Sequence, residues 1–166
     1  GESKLAGEQA VGLVDGNALI LRTAWVYGLR GKNFLLTMQR LANERDELRV
    51  VADQWGAPTW SRLIAEGTAH IVSQLISPRF KTDWKSVSGV YHLTCGGQTN
   101  WHSFAEAIVK HSSKPPKVLP ITTAEYPTPA KRPAYSVLAN EKLFKTFGLR
   151  LPDWETALTL CLQSQE

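Results

Sequence analysis

The chain has 166 residues, of which 43% are hydrophobic and 20% are charged, and its formal net charge is +4. This composition predicts an ordinary soluble globular protein that is long enough to bury one core. No apolar run approaches the roughly 20 residues that span a bilayer, so we expect no membrane partner. Basic residues are mixed with acidic ones, as in RLANERDELR. Such mixing indicates a solvated helix face and argues against a nucleic-acid partner.

The N-terminal sequence and the cysteines indicate a cytoplasmic protein. The first ten residues, GESKLAGEQA, lack the basic and apolar segments of a signal peptide. Cys95 and Cys161 are far apart in the sequence, and the four histidines show no metal-ligand spacing. We therefore predict two reduced thiols and no zinc site.

Hydrophobic periodicity predicts helices and strands in alternation. Helices are expected over residues 3–14, 33–43, 63–76, 101–110, 140–147 and 154–162, and strands over 18–21, 48–51 and 90–93. The helix that starts at Trp101 is expected to be capped from Thr99 or Asn100. From Pro115 to Tyr135 the chain is rich in proline, which predicts an extended loop. The alternation as a whole predicts an α/β protein.

The α/β pattern lacks the motif that usually begins a dinucleotide-binding domain. Only about three strands are legible, and no glycine-rich turn follows the first of them. The residues after that first strand, RTAWVYG, place polar and aromatic groups at its carboxyl end, where open α/β sheets bind ligands. We therefore expect a portion of a longer protein, with the cofactor-binding half absent.

The segment SKLAGE places Lys4 near the start of the first predicted helix. It resembles the active-site helix of the extended short-chain dehydrogenase/reductases, whose signature is Tyr-x-x-x-Lys. The tyrosine would lie one position before Gly1. Residues four apart share a helix face, so the lysine ammonium would lower the phenol pKa and bind the nicotinamide ribose. The alternative is a solvated lysine paired with Glu8 one turn away.

Five further segments occur in an order that resembles one family of these reductases. They are LILRTAWVYG, GKNFLLTMQRLA, LRVVADQWGAPT, GVYHLTCGG and YPTPAKRPAYSVLANEKL. Together they are similar to the dTDP-4-dehydrorhamnose reductases, over a length that reaches about Leu162. The resemblance implies the C-terminal portion of an extended Rossmann-type reductase. Residues 1–30 would be a remnant of the Rossmann domain, and residues 31–166 the sugar-nucleotide substrate-binding domain.

The resemblance also implies an activity for the parent protein. It would reduce dTDP-4-dehydro-6-deoxy-L-mannose to dTDP-L-rhamnose with NADPH or NADH, for cell-surface polysaccharide synthesis, and the fragment alone would be inactive. Magnesium is an optional cofactor of the full-length enzyme in this interpretation, and a homodimer is compatible with it. Two alternatives remain open: a non-catalytic regulatory or binding subunit on the same scaffold, and a reductase or epimerase of another nucleotide sugar.

Two site residues follow from the resemblance. Lys4 matches the family's catalytic lysine, which also contacts the cofactor. Trp25 matches the tryptophan that lines the deoxysugar-nucleotide site.

The other candidate binding residues come from local chemistry. Asn33 starts a helix whose N-terminus favours an anion such as a diphosphate, or it serves only as the cap. Gln54, Pro58 and Thr59 form a rigid polar loop that contacts the sugar or base, or a structural turn. Arg132, next to Lys131 on the proline-stiffened loop, offers bidentate phosphate recognition, or it is a solvated surface residue.

Several aromatic residues are assigned no function. Trp101, Trp154, Phe104 and Phe144 fall at helix positions typical of core or staple residues. Trp55 and Trp60 flank the GAPT turn where many relatives carry Phe and a small residue, so they either alter the pocket floor or pack elsewhere. We also expect the first helix and strand to present an apolar surface.

Overall fold

The computed structural model describes residues 1–14, 16–78 and 83–164. Within these ranges the helices are α1 (Glu2–Leu13), α2 (Phe34–Glu44), α3 (Ser61–Ile76), α4 (Trp84–Val87), α5 (Trp101–Val109), α6 (Glu141–Phe147) and α7 (Trp154–Gln163). The strands are β1 (Leu19–Arg22), β2 (Val26–Tyr27), β3 (Glu47–Val51), β4 (Trp55–Gly56), β5 (Thr59–Trp60), β6 (Gly89–His92), β7 (Thr99–Asn100) and β8 (Lys117–Ile121). A short 3-10 turn covers Thr123–Glu125.

The strands pair two by two, and most pairs are parallel. β1 pairs with β6, β2 with β5 and β3 with β8 in parallel, whereas β4 and β7 are antiparallel. Parallel pairs need long crossover connections, and helices supply much of these connections here. The predicted α/β class is therefore confirmed.

Local sequence signals explain where several helices begin and end. The side chain of Asn33 accepts a hydrogen bond from the Leu36 N–H at 3.2 Å, and that of Asn100 accepts one from the Ser103 N–H at 2.8 Å. These are side-chain caps of α2 and α5, as predicted for Asn100. Gly148 ends α6 with a φ of 64°, a left-handed conformation in which a glycine is not strained.

The strand β8 corrects the prediction of an extended loop from Pro115 onward. Lys117–Ile121 pairs with Glu47–Val51 in parallel register, and Pro120 lies within it. Proline is tolerated in a strand where its missing N–H costs no ladder hydrogen bond, as at an edge. The extended part of the loop therefore begins only after the 3-10 turn.

The apolar side chains form two core clusters. The larger contains Tyr27, Phe104 and Trp154, and the smaller contains Ile71 and Leu93. Phe104 and Trp154 are thus core residues, as predicted.

Phe144 departs from the core prediction, because its side chain is 41% exposed. The Arg150 guanidinium lies 3.9 Å from the centre of its ring, a cation–π contact at the surface. Cys95 and Cys161 are both buried as free thiols, and burial raises the pKa of Cys161 to about 11.

Helix α1 buries no residue against the rest of the described chain. Leu13 at the end of this helix is 88% exposed and Val14 directly after it 68%, whereas Leu19 and Leu21 of β1 pack on the smaller core cluster. Of the apolar surface predicted for the first helix and strand, the described chain therefore exposes only the part around the helix. The Glu8 carboxylate accepts hydrogen bonds from the Arg22 guanidinium at 2.8 and 2.5 Å, which ties α1 to the end of β1. The hydrogen bond from Arg22 holds the pKa of Glu8 below its usual value. Within the described ranges, no helix has the length and apolar character that crossing a bilayer requires.

Candidate ligand-binding site

A cavity of about 740 Å³ opens beyond the carboxyl end of β1, within the size range of small-molecule sites. One face of α2 forms part of its wall, since Phe34, Thr37, Met38 and Leu41 follow helical spacing. The rest of the wall comes from β3, the start of α5, the residues that follow β1, α2 and β3, and a loop of residues 126–136, here called the cavity loop.

Trp25 is held at the cavity wall by an unusual backbone conformation and by its neighbours. Its φ is 50°, in the left-handed region that side chains other than glycine rarely adopt. Its indole stacks on that of Trp101, with ring centres 3.6 Å apart and planes within 7°. A Cβ added at Gly56 would overlap the Trp25 ring, so this glycine is required for the close approach. Outlying backbone conformations of this kind are found at functional sites.

Three arginines line the cavity, and none of its described lining residues is acidic. Arg49 is paired with Glu125 at 3.1 Å, while Arg45 and Arg132 form no ion pair with any described residue. The hydrogen bond from the Thr122 backbone N–H lowers the pKa of Glu125 and keeps the carboxylate ionised. The Thr122 hydroxyl and Arg49 lower it further. Two unpaired guanidinium groups and a third that is paired make this wall favourable for an anionic ligand.

The residues after β3 fix one end of the cavity loop. The Asp53 carboxylate accepts hydrogen bonds from the backbone N–H of Thr123 at 3.0 Å and from its hydroxyl at 2.6 Å. The hydroxyl bond lowers the pKa of Asp53 more than any other cause. The Gln54 amide donates to the same hydroxyl at 3.0 Å, so a cavity-lining side chain is tied to the 3-10 turn.

The other end of the cavity loop is fixed by strand-like bonds. The Trp55 N–H donates to the Ala134 carbonyl at 2.8 Å, and the Trp55 carbonyl accepts from the Ser136 N–H at 2.8 Å. The Tyr135 hydroxyl donates to the Gln98 side-chain carbonyl at 2.9 Å. Arg132 therefore lies on a segment whose two ends are both anchored to the body of the domain.

Of the predicted site residues, the cavity brings together Trp25, Gln54 and Arg132. Lys4 lies on α1 with its side chain exposed, and it is not on the cavity wall.

The remaining three candidates do not line the cavity and have structural contacts instead. The Asn33 amide donates to the Gly28 and Arg30 carbonyls while its oxygen caps α2, so its polar atoms are all used locally. Pro58 and Thr59 are fully buried. The Thr59 hydroxyl donates to the Ala57 carbonyl and accepts from the Cys95 N–H, and the Thr59 N–H donates to the Trp25 carbonyl. Thr59 thus supports the backbone of Trp25 and does not reach the cavity.

Trp55 and Trp60, the two departures from the family pattern, are not on the cavity wall, whereas Trp101 is part of it. Trp60 is buried in the larger core cluster and Trp55 is partly exposed beside Tyr135, so neither lines the cavity. Trp101, which the sequence indicates only as a core or staple residue, is on the cavity wall. Its position directly after a capping asparagine was visible in the sequence, but nothing there pairs it with Trp25.

Metal-ligating side chains do not converge in the part of the chain that the structure describes. No group of three or more His, Cys, Asp or Glu residues within it has the geometry to hold an ion.

An α/β fold with a cavity of mixed aromatic and arginine character at the carboxyl end of a parallel strand defines a ligand-binding domain of the Rossmann-related class. Residues 1–166 match the family described as the RmlD substrate binding domain. The chain belongs to this family.

The relatives of the chain include dTDP-4-dehydrorhamnose reductases. The enzyme of that name from Burkholderia thailandensis is 51% identical over 98% of this chain and 57% of its own length. A crystal structure of one from Clostridium acetobutylicum is 37% identical, with a TM-score of 0.87, and the match covers 99% of this chain and 55% of that one. A structure from Bacillus anthracis, in complex with NADP, is 35% identical with a TM-score of 0.82, over 98% of this chain and 54% of that one. The chain thus spans about half the length of the relatives that it matches.

Proposed function

We propose that the protein to which this chain belongs is a dTDP-4-dehydrorhamnose reductase, and that this chain supplies its sugar-nucleotide site. The observation that carries the proposal is the cavity, which combines stacked indoles with three arginines and has no acidic residue among its described lining. A nucleotide sugar has the matching chemistry, because it joins flat or apolar rings to a diphosphate of strong negative charge. The relatives named dTDP-4-dehydrorhamnose reductase support the same substrate class.

Each part of the cavity has a proposed contact. Arg45 and Arg132, which form no ion pair with a described residue, would bind the diphosphate through charge-assisted hydrogen bonds. The Trp25 indole would pack against the deoxysugar, and Gln54 would offer a polar contact beside it. These contacts are part of the proposal. So is the division of the chain into a Rossmann remnant, residues 1–30, and a substrate-binding domain, residues 31–166.

The proposed reaction is reduction of the sugar C4 carbonyl. The nicotinamide cofactor, NADPH or NADH, supplies the hydride when bound, and a tyrosine outside this chain would give its proton to the carbonyl oxygen. Lys4 would hold the tyrosine phenol ready to ionise, because a nearby ammonium favours the phenolate. The exposed Lys4 side chain is free of hydrogen-bonding partners among the described residues, so it is available for this role. We assign magnesium no residue of this chain.

Turnover by the full-length protein tests the activity. We expect NADPH or NADH oxidation to depend on dTDP-4-dehydro-6-deoxy-L-mannose, and Lys4→Met to lower kcat strongly while leaving sugar-nucleotide binding nearly unchanged. Absence of turnover by the wild type with this substrate would overturn the proposal. UDP- and GDP-sugars serve as the comparison, since equal turnover of any of them would place the protein with reductases of another nucleotide sugar.

Arg132→Gln tests the binding role of the cavity. We expect it to weaken dTDP binding about tenfold or more, because a charge-assisted hydrogen bond contributes roughly 1.5–3 kcal/mol. The salt dependence of binding should fall with it. Arg62→Gln on α3 is the matched control, because Arg62 pairs with Glu66 and does not line the cavity. Equal effects of the two variants in calorimetric titrations would exclude Arg132 from the site.

A further inference from the structure

The Trp25 indole occupies a slot that the antiparallel pair β4–β7 builds. Gly56 on β4 lies opposite Thr99 on β7, and Trp55 lies opposite Asn100. Trp101 follows directly at the start of α5, so this pairing sets the position of the Trp101 ring relative to Gly56. The Trp25 ring stacks on Trp101 and also lies against Gly56, whose missing side chain gives it room.

Trp101 is itself fixed by contacts that lead into the core. Its ring lies 4.6 Å from that of Phe34, and Phe34 stacks on Phe104 at 5.6 Å. Phe104 is fully buried and meets Trp154 edge-on. An unbroken series of aromatic contacts therefore connects the cavity wall to the larger core cluster, and Trp101 is the member that touches Trp25.

The backbone of Trp25 makes this support necessary. A non-glycine residue with a φ of 50° persists only where its surroundings hold it, because the conformation is intrinsically unfavourable. The Thr59 N–H bonded to the Trp25 carbonyl holds the main chain. The stacked indole of Trp101 is the contact that holds the side chain.

We propose that Trp101 is a positioning residue, which fixes the Trp25 indole at the cavity wall in the orientation that the ligand meets. The inference deepens the proposed function, and only its ligand-binding consequence rests on that function. Replacement of Trp101 should release the Trp25 ring, whereas another aromatic ring at this position should keep it in place.

Circular dichroism measures the stacking without any ligand. Two indoles at 3.6 Å should give an exciton couplet in the far ultraviolet, and theirs is the closest indole pair among the described aromatic contacts. We expect the couplet in the wild type, its loss in Trp101→Leu and Trp101→Phe, and its reduction in Gly56→Ala, where the added methyl displaces the Trp25 ring. Trp84→Phe is the control, because Trp84 packs on the smaller core cluster away from the site. A wild type without a couplet, or a couplet that survives in Trp101→Leu, would overturn the proposal.

Titration with dTDP measures the consequence for binding. We expect Trp101→Leu and Gly56→Ala to weaken binding about fivefold to tenfold, the scale of one aromatic pair, and Trp101→Phe and Trp84→Phe to stay within about threefold of the wild type. Trp101→Phe retains a ring in the core, so it gives an answer even if Trp101→Leu does not fold. Wild-type binding by folded Trp101→Leu, or equal weakening by Leu and Phe, would contradict the positioning role. A wild type that shows the couplet and binds no thymidine nucleotide would instead refute the proposed function, leaving the stacking of Trp25 on Trp101 supported by the spectra.

Discussion

At the scale of single residues, the Tyr27 hydroxyl is a buried polar group without a hydrogen-bond partner among the described residues. The Tyr27 side chain is 1% exposed. Burial raises the pKa of this phenol, so the group stays neutral. A buried hydroxyl without a partner has lost its hydration and gained nothing in exchange, which costs about 1–3 kcal/mol.

Tyr27→Phe should therefore raise the free energy of unfolding, by about 1 kcal/mol. Tyr91→Phe is the matched control, because the buried Tyr91 hydroxyl donates to the Val87 carbonyl at 2.7 Å. Tyr91→Phe should lower the free energy of unfolding by about 1 kcal/mol, because removing the hydroxyl takes this hydrogen bond from the Val87 carbonyl. Urea denaturation of the three proteins measures both effects. A destabilised Tyr27→Phe would mean that the hydroxyl has a partner in solution.

The sequence indicates candidate site residues where a motif or a stiff loop singles out one side chain. Trp25, Gln54 and Arg132 line the cavity, and their roles in substrate binding remain predictions. Asn33 and Thr59 do not line it, because local backbone groups use their polar atoms. A polar side chain can bond a ligand or a nearby backbone group. The choice depends on distances that are set only when the chain folds.

At the scale of elements, α1 is attached to the domain mainly through charge. It buries no side chain, and the Glu8–Arg22 pair joins it to the end of β1. The pKa of Glu8 is lowered in the folded state, so the pair stabilises the attachment above the unfolded pKa of the carboxyl group. The stabilisation is lost as the pH falls through the folded pKa.

We expect the amides of α1 to lose protection from hydrogen exchange, relative to their intrinsic rates, as the pH falls through the lowered pKa of Glu8, below the ordinary range of a glutamate. Glu8→Gln should show the reduced protection already at neutral pH and little further change on acidification. Glu44→Gln is the control, since Glu44 pairs with Arg40 inside α2. Protection of α1 that is the same in Glu8→Gln and in the wild type would show that the ion pair does not hold the helix.

Helices were predicted more completely than strands, for a physical reason. The boundaries of α2, α5 and α7 lie within about two residues of prediction, because apolar spacing and caps are local signals. The proline in β8 predicts a loop, and the two-residue strands are too short to show an alternating pattern in the sequence. Strand pairing is decided by a distant partner, such as β3 for β8, which a local pattern does not contain.

At the scale of the whole molecule, α1 leaves several apolar side chains exposed on the described chain. Leu5, Val11 and Leu13 on the helix and Val14 directly after it are all exposed. Exposed apolar side chains can favour association when they come together in a contact. The homodimer with which the sequence is compatible remains a prediction, and the exposed side chains around α1 are one place where it would form.

We expect the isolated chain to associate reversibly with rising concentration, and Leu13→Lys combined with Val14→Lys to shift it toward monomer. Ile76→Lys at the end of α3 is the control, since Ile76 is 71% exposed, close to the 68% of Val14, and lies on a different helix. Sedimentation velocity over a range of concentrations distinguishes the two. A wild-type chain that sediments as a monomer throughout would show that α1 does not drive association.

The contrast between the two sides of the cavity determines how its ligand preference could be re-engineered. The Trp25 side tolerates little variation, because a left-handed backbone, a glycine without room for a methyl group and a stacked indole all depend on one another. The α2 side is an ordinary helix, on which Thr37 is exposed and Leu41 only partly buried. A library that varies Thr37 and Leu41 while keeping Trp25, Gly56 and Trp101 should therefore yield many folded variants with altered selectivity.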